Sequence, residues 1–427
     1  MRWPILVAVA AAAAFGQNPK QTSAGANPLA ILKTDDQIAA YQLLIQSAPE
    51  DLHYQNRLAA AYIQKVRETT DFAYLDRASK ILDHVIAADR HDYEALRLRS
   101  EIELERHNFA RVAEDSRELT RLAPGDPWNW GTLGDALIEL GQYNAAAEAY
   151  QKMVTLRPDM SSYNRAAWFR FLAGDMPGAI EIMQRAIESG SPSAENTAWC
   201  LVELGQLYLK SGRSADAEKA FAAALKAFPG YHPAYAGLGK AQAVQGRLPE
   251  AIANYELAQA STPLPDYAAA LYDLYRASGE EKKAQQERDL IDLYDHLNLS
   301  NGEKANRNVA MIYSDHNWRP ERALELARAE MEMRKDVYTY DALAWALCRN
   351  RRYGEAKTAI AEALKLGTPE PMFYYHAQQI ARALGDDAKA AEYASKIQSL
   401  NPERAGRGGV LADLGEAQPS RPVVRDR

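Results

Sequence analysis

The sequence predicts an all-α fold, a solenoid of stacked helix pairs, and three observations predict it. Apolar residues recur at spacings of three and four from about Gln37 to Leu400, and no alternating run reads as a strand. A small residue opening every second helix recurs at Ala146, Ala179, Ala217, Ala251, Ala284, Ala323, Ala356 and Ala390, at intervals of 33, 38, 34, 33, 39, 33 and 34 residues. Turn glycines keep step at Gly141, Gly174, Gly212, Gly246, Gly279 and Gly385, with Trp318 and Arg351 at the two equivalent places that lack one. A helix pair this short cannot bury its own apolar face, so the copies must stack on one another.

In chain order, residues 1–16 read as a secretory signal peptide. Arg2 supplies the basic start, Ile5 to Phe15 the apolar run, and Ala14-Phe15-Gly16 the small residues before a cut after Gly16. That run is eleven residues, short of the roughly 20 needed to span a bilayer. The expectation is an exported protein, periplasmic or secreted, without stable membrane insertion. Residues 17–36, with Pro19, Gly25, Asn27 and Pro28, read as a linker.

Residues 37–126 read as divergent repeats. Leu58, Ala59, Tyr62, Ala78 and Leu82 keep the pattern, with an insertion expected at Val66 to Thr70 between the helices. In the next unit Ser100 and Val112 stand where Gly or Ala is expected. Residues 127–294 hold the regular repeats, best preserved from Pro127 to Pro158. Asp126 and Pro127 are a cap and a first-turn proline. Trp130, Leu133, Gly134 and Leu137 share one helix face, Gly141 ends that helix, and Ala146, Tyr150 and Met153 share the facing stripe. Gly134 and Ala146 allow close backbone approach while the bulky residues fill the space around it. Ser189 to Ser193 lengthens one interval, and residues 295–305 read as a longer connection. Repeats resume over 306–402, and 403–427 reads as a tail with a capping helix at Val410 to Leu414.

Helix pairs at a period near 34, in this small and large order, resemble the tetratricopeptide repeat. The resemblance implies antiparallel pairs wound into a right-handed α-α superhelix of about ten units, similar to exported bacterial proteins of that type. It also implies that the first helix of each pair lines a concave groove. The groove positions are then Asp135, Asn164, Arg165, Trp168, Trp199, Glu203, Gln206, Lys240, Asp273, Arg276, Asp341, Trp345, Arg349, Tyr375, His376, Gln379 and Arg382. Tryptophans there are expected interface anchors. The cations suit a carboxylate or acidic peptide. The competing expectation, packing against a neighbouring helix, weighs more for Trp199 than for Trp168 and Trp345. The Lys and Asn clamp that some members use on a peptide C-terminus is absent: Asn164-Arg165 is followed by Val202-Glu203 and Ala236-Gly237.

The chemistry of the chain points the same way. A formal charge of −7 and the lack of a basic stripe argue against nucleic acid. Cys200 and Cys348 lie far apart and read as buried or free thiols. The eight histidines are dispersed without zinc-ligand spacing, and there is no phosphate loop, dinucleotide fingerprint or nucleophile elbow. The expectation is a non-catalytic scaffold without cofactor or metal that binds a protein or peptide. Carbohydrate handling in envelope assembly or export, with tryptophans on sugar faces, and an enzyme with an unrecognised site are the alternatives.

Overall fold

The computed structural model describes residue 29 and residues 32–405 apart from 70, 192 and 301–304. The expected signal peptide, most of the linker and the helix at Val410 to Leu414 lie outside the described residues. Every regular element among those described is helical. A first helix, α1 (Thr34–Ser47), is followed by ten pairs. The first five pairs are α2 (Leu52–Thr69) with α3 (Ala73–Ala88), α4 (Tyr93–Glu105) with α5 (Phe109–Leu122), α6 (Pro127–Glu139) with α7 (Tyr143–Leu156), α8 (Met160–Leu172) with α9 (Met176–Ser189), and α10 (Ala194–Lys210) with α11 (Ser214–Ala227). The other five are α12 (His232–Val244) with α13 (Leu248–Ser261), α14 (Pro265–Ala277) with α15 (Glu281–Ser300), α16 (Arg307–Asp315) with α17 (Pro320–Met333), α18 (Val337–Arg349) with α19 (Tyr353–Leu364), and α20 (Pro371–Ala383) with α21 (Asp387–Leu400). A single turn, α22 (Pro402–Ala405), closes the series.

The repeat pattern explains the packing. The Asp126 side chain accepts the Trp128 backbone N–H at 2.9 Å, and Pro127 opens α6. Gly134 lies directly under the Tyr150 ring, where any Cβ would overlap it. The opening alanines of the second helices, from Ala146 to Ala356, are fully buried. Ser100 and Val112 are buried as well, the Ser100 hydroxyl donating to the Leu96 carbonyl at 3.1 Å. The divergent repeats therefore pack like the rest. Three expected interruptions are taken up as helix. Val66 to Thr69 belongs to α2 and Asp295 to Ser300 to α15, while the pair after Ser189 has its added length in the 17-residue α10. The expected insertion between α2 and α3 is therefore corrected: helical residues continue the apolar face, with Val66 buried.

Successive turns of the superhelix touch. The backbone N–H of Lys335 donates to the Glu139 carbonyl at 2.7 Å, and that of Val337 to the Tyr143 hydroxyl at 2.8 Å. One repeat on, the Thr368 hydroxyl donates to the Leu172 carbonyl at 2.7 Å. A further repeat on, the Asn401 side-chain amide donates to the Leu209 carbonyl at 2.9 Å, and the Ser214 N–H to the Glu403 carboxylate at 3.2 Å. These partners are 189–196 residues apart in sequence, so each bond joins one turn of the solenoid to the next. The seam gathers ionised groups. Arg334 lies between Glu139, at 3.2 Å, and Glu330, at 3.1 Å, and stands over the Phe109 ring. Arg307 reaches Asp336 at 3.1 Å. Burial, and the nearby charge of Asp336, raise the Glu139 carboxyl to about 7.

Candidate functional site

The seam draws several inner helices together, and it sorts the candidate residues into those already bonded and those left open. Asp135 and Arg165 form a two-point pair, with Nε–Oδ1 at 2.9 Å and Nη2–Oδ2 at 2.7 Å, and the Tyr150 hydroxyl donates to Asp135 at 2.8 Å. Trp168 stacks on Phe171 at 5.4 Å and, across the seam, on Tyr338 at 5.9 Å. Asn164 approaches the buried Cys200 sulfur at 4.0 Å. Both cysteines are free and buried, and burial pushes the Cys200 thiol up to about 12 and that of Cys348 to about 11. Lys240 is half of no open site, since it too has an internal contact, as has Tyr375.

Among the C-terminal candidates, Asp341, Trp345, Arg349 and His376 are structural. Trp345 is 1% exposed and donates its indole N–H to Asp315 at 2.8 Å. His376 is fully enclosed, stacked on Trp345 at 4.5 Å, with Nδ1 2.9 Å from Asp341 and Nε2 3.9 Å from Asp315. Burial alone would lower the His376 pKa, but the charges of Asp341 and Asp315 override it and raise it to about 9. Asp341 is raised by its own burial against the pull of His376. The close approach of two carboxylates favours the protonated imidazole, and we assign an imidazolium–carboxylate pair. Arg349 lies over Trp345 at 4.1 Å and donates to the Ser314 and Asp315 carbonyls at 2.6 and 3.0 Å. One repeat earlier, Asp273 accepts from His316 at 2.9 Å, and Arg276 is shared between the Tyr272 ring and Glu281.

The expectation that Trp168 and Trp345 stand free in the groove is therefore corrected. Phe171 and Tyr338 bring rings to Trp168, and Trp345 is buried with its indole N–H satisfied by Asp315, which is favourable. Trp199, for which packing and exposure are equal expectations, is the open one, 38% exposed. It heads a stripe on α10 of Trp199, Glu203, Gln206 and Lys210, spaced four, three and four residues apart on one helix face. Lys210, at the far end, pairs with Glu370 at the start of α20, and Glu370 also accepts from Tyr338 at 3.2 Å. That pairing ties the far end of the stripe to the start of α20. Among the described residues, Trp199, Glu203 and Gln206 have no hydrogen bond, ion pair or ring partner. Burial raises the Glu203 carboxyl above its usual range, and the charge of Lys210 offsets only part of that. Among the described residues, the side chains of Gln379 and Arg382 on α20 are also without hydrogen-bond or ion-pair partners.

The residues that sequence reasoning missed are Asp315, Tyr338, Glu370, Lys210 and Arg334. No local pattern marks them, because their partners lie on another helix of the stack or in the next turn of the superhelix.

Comparison with known proteins agrees with the repeat reading. Models of the tetratricopeptide repeat match residues 129–160, 159–229, and both 202–265 and 342–405. Tetratricopeptide repeat protein 36 of Homo sapiens is 33% identical over 89 residues, 21% of this chain and 47% of that protein. The Mus musculus protein is likewise 33% identical over 89 residues. The chain spans about half the length of these curated relatives. Among solved structures, PilW, a widely conserved type IV pilus biogenesis factor, aligns with a TM-score of 0.42 at 14% identity, covering 48% of this chain and 93% of its own. Yeast Tom70 aligns with a TM-score of 0.37 at 14% identity, covering 86% and 88% of the two chains. Tetratricopeptide repeats are thus present over residues 129–265 and 342–405 of this chain.

Proposed function

We propose that the protein is a non-catalytic interaction scaffold that holds a peptide or an extended segment of another protein against the inner face of its superhelix. The observation that carries this reading is the open stripe of α10. An indole, a carboxylate and a carboxamide stand in line there, with no partner among the described residues. Side chains of these types, partly desolvated and unbonded, gain most from a partner that brings complementary groups. The binding takes place outside the cytoplasm, a reading supported by the N-terminal pattern of Arg2, the apolar run to Phe15 and the small residues at Ala14 and Gly16.

Affinity capture from the native host tests the scaffold reading. The wild-type chain retains a defined protein, and Trp199→Ala combined with Gln206→Ala loses it while the helical circular dichroism is unchanged. Equal retention by the variant overturns the assignment of the site. Saturable shifts of tryptophan fluorescence with glycans, and no protein retained, overturn the scaffold itself. An alkaline phosphatase fused after Arg427 is expected to be active, and an inactive fusion overturns the location.

A further inference from the structure

We propose that the α10 stripe recognises a cationic side chain of the partner, an arginine or a lysine held between the indole face of Trp199 and the carboxylate of Glu203. This rests on the scaffold reading above and adds the chemistry of the partner.

Arginine, indole and carboxylate come together at Trp128, and two further tryptophans carry an arginine over the ring. The Arg97 guanidinium lies 4.6 Å over the Trp128 ring and 3.4 Å from the Asp126 carboxylate. The Arg288 guanidinium lies 4.7 Å over Trp318, and that of Arg349 4.1 Å over Trp345, whose N–H is bound by Asp315. A tryptophan face draws a guanidinium through its ring quadrupole, and an adjacent carboxylate fixes the charge from the side. Trp199 and Glu203 repeat that combination one helical turn apart, at about 5–6 Å between Cβ atoms. Among the described residues no cation lies over this ring, and Glu203 makes no ion pair. The nearest basic group on the same stripe, Lys210, is committed to Glu370.

A carboxylate left in this state favours a cation over a neutral or acidic group, and burial of Glu203 sharpens the preference. The net charge of −7 adds long-range attraction of the same sign. Gln206, one turn further on, is placed to bond the main chain of an extended segment beyond that side chain.

The test is a titration of the full chain with labelled peptides of one Ser–Ala–Gly background. They carry a single arginine, a single lysine, a single glutamate or neutral residues only, and binding is read by fluorescence anisotropy. The arginine peptide is expected to bind about tenfold more tightly than the neutral one, with lysine between them and glutamate weakest. Trp199→Ala and Glu203→Gln should each bring the arginine peptide close to the neutral level, and Glu203→Lys should abolish the preference. A neutral peptide that binds as tightly as the arginine peptide, yet is lost with Trp199→Ala, overturns the cation inference and leaves the scaffold reading standing. An arginine preference unchanged in Trp199→Ala and Glu203→Gln overturns the site. Failure of every peptide to bind also overturns the inference.

Discussion

Gly141 sits against the backbone carbonyl of Lys335, and a Cβ added to it would stand 2.6 Å from that oxygen. Gly141 has φ +70°, as the left-handed end of a helix requires, so the residue meets two demands at once. Gly174 and Gly212 meet the next turn of the superhelix in the same way: an added Cβ would stand 3.2 Å from the Gly367 carbonyl oxygen and 2.9 Å from the Asn401 side-chain oxygen. Gly246 and Gly279 share the conformation but have open space around them. Gly246→Ala should therefore cost about 1–2 kcal/mol, the backbone cost alone. Gly141→Ala should cost clearly more, because the seam must shift to admit the methyl group. Thermal unfolding of the two variants checks the difference, and equal losses would contradict the seam.

Arg334→Ala removes the cation that faces Glu330 and Glu139 at the seam, leaving the buried Glu330 carboxylate with only the Arg307 backbone N–H as a direct partner. Breaking a buried pair from one side costs roughly 3–5 kcal/mol. The expected outcome is a lower melting temperature and a larger radius of gyration in solution scattering, as the turns separate.

The pair of His376 and Asp341 gives a pH dependence of definite sign. The His376 pKa, about 9, lies above its ordinary value of 6.5. Its contribution to stability is complete below about pH 6.5 and is lost as pH rises through 9. Denaturant unfolding at several pH values should show stability falling over that window in the wild type, and a flatter profile in His376→Gln. A wild-type profile that rises over the same window would contradict the ion pair.

Trp345 and Trp199 should separate stability from binding. Trp345→Ala removes a fully enclosed indole and should cost about 3–5 kcal/mol. Trp199→Ala should stay within about 1 kcal/mol of wild type, with its effect on partner capture instead. Urea unfolding of both variants reads the contrast.

Most of the fold was legible because its signals are local. Ala146, Gly134 and Tyr150 report a contact between two adjacent helices, and such a contact recurs at a fixed period. Val66 to Thr70 looks like an insertion in the sequence because a repeat that departs from the period looks interrupted, although α2 continues to Thr69. The inner face was legible only as a set of positions. Repeat position places Trp168, Trp199 and Trp345 on the first helices of their pairs, but does not say what meets them there. Tyr338 reaches Trp168 from the next turn of the superhelix, and Asp315 reaches Trp345 from the preceding pair. The pitch that brings Leu209 to Asn401 sums small rotations over many helix pairs, and no short window of sequence records that sum.

The central claim is that the open stripe of α10 is where a partner is held. The most direct measurement places a photo-crosslinking residue at Gln206 in the native host, with a matched control at Gln151 on the exposed face of α7. A protein or peptide adduct is expected from position 206, disappearing with Trp199→Ala, and none from position 151. An adduct from 151 alone, or one from 206 that persists in Trp199→Ala, would contradict it.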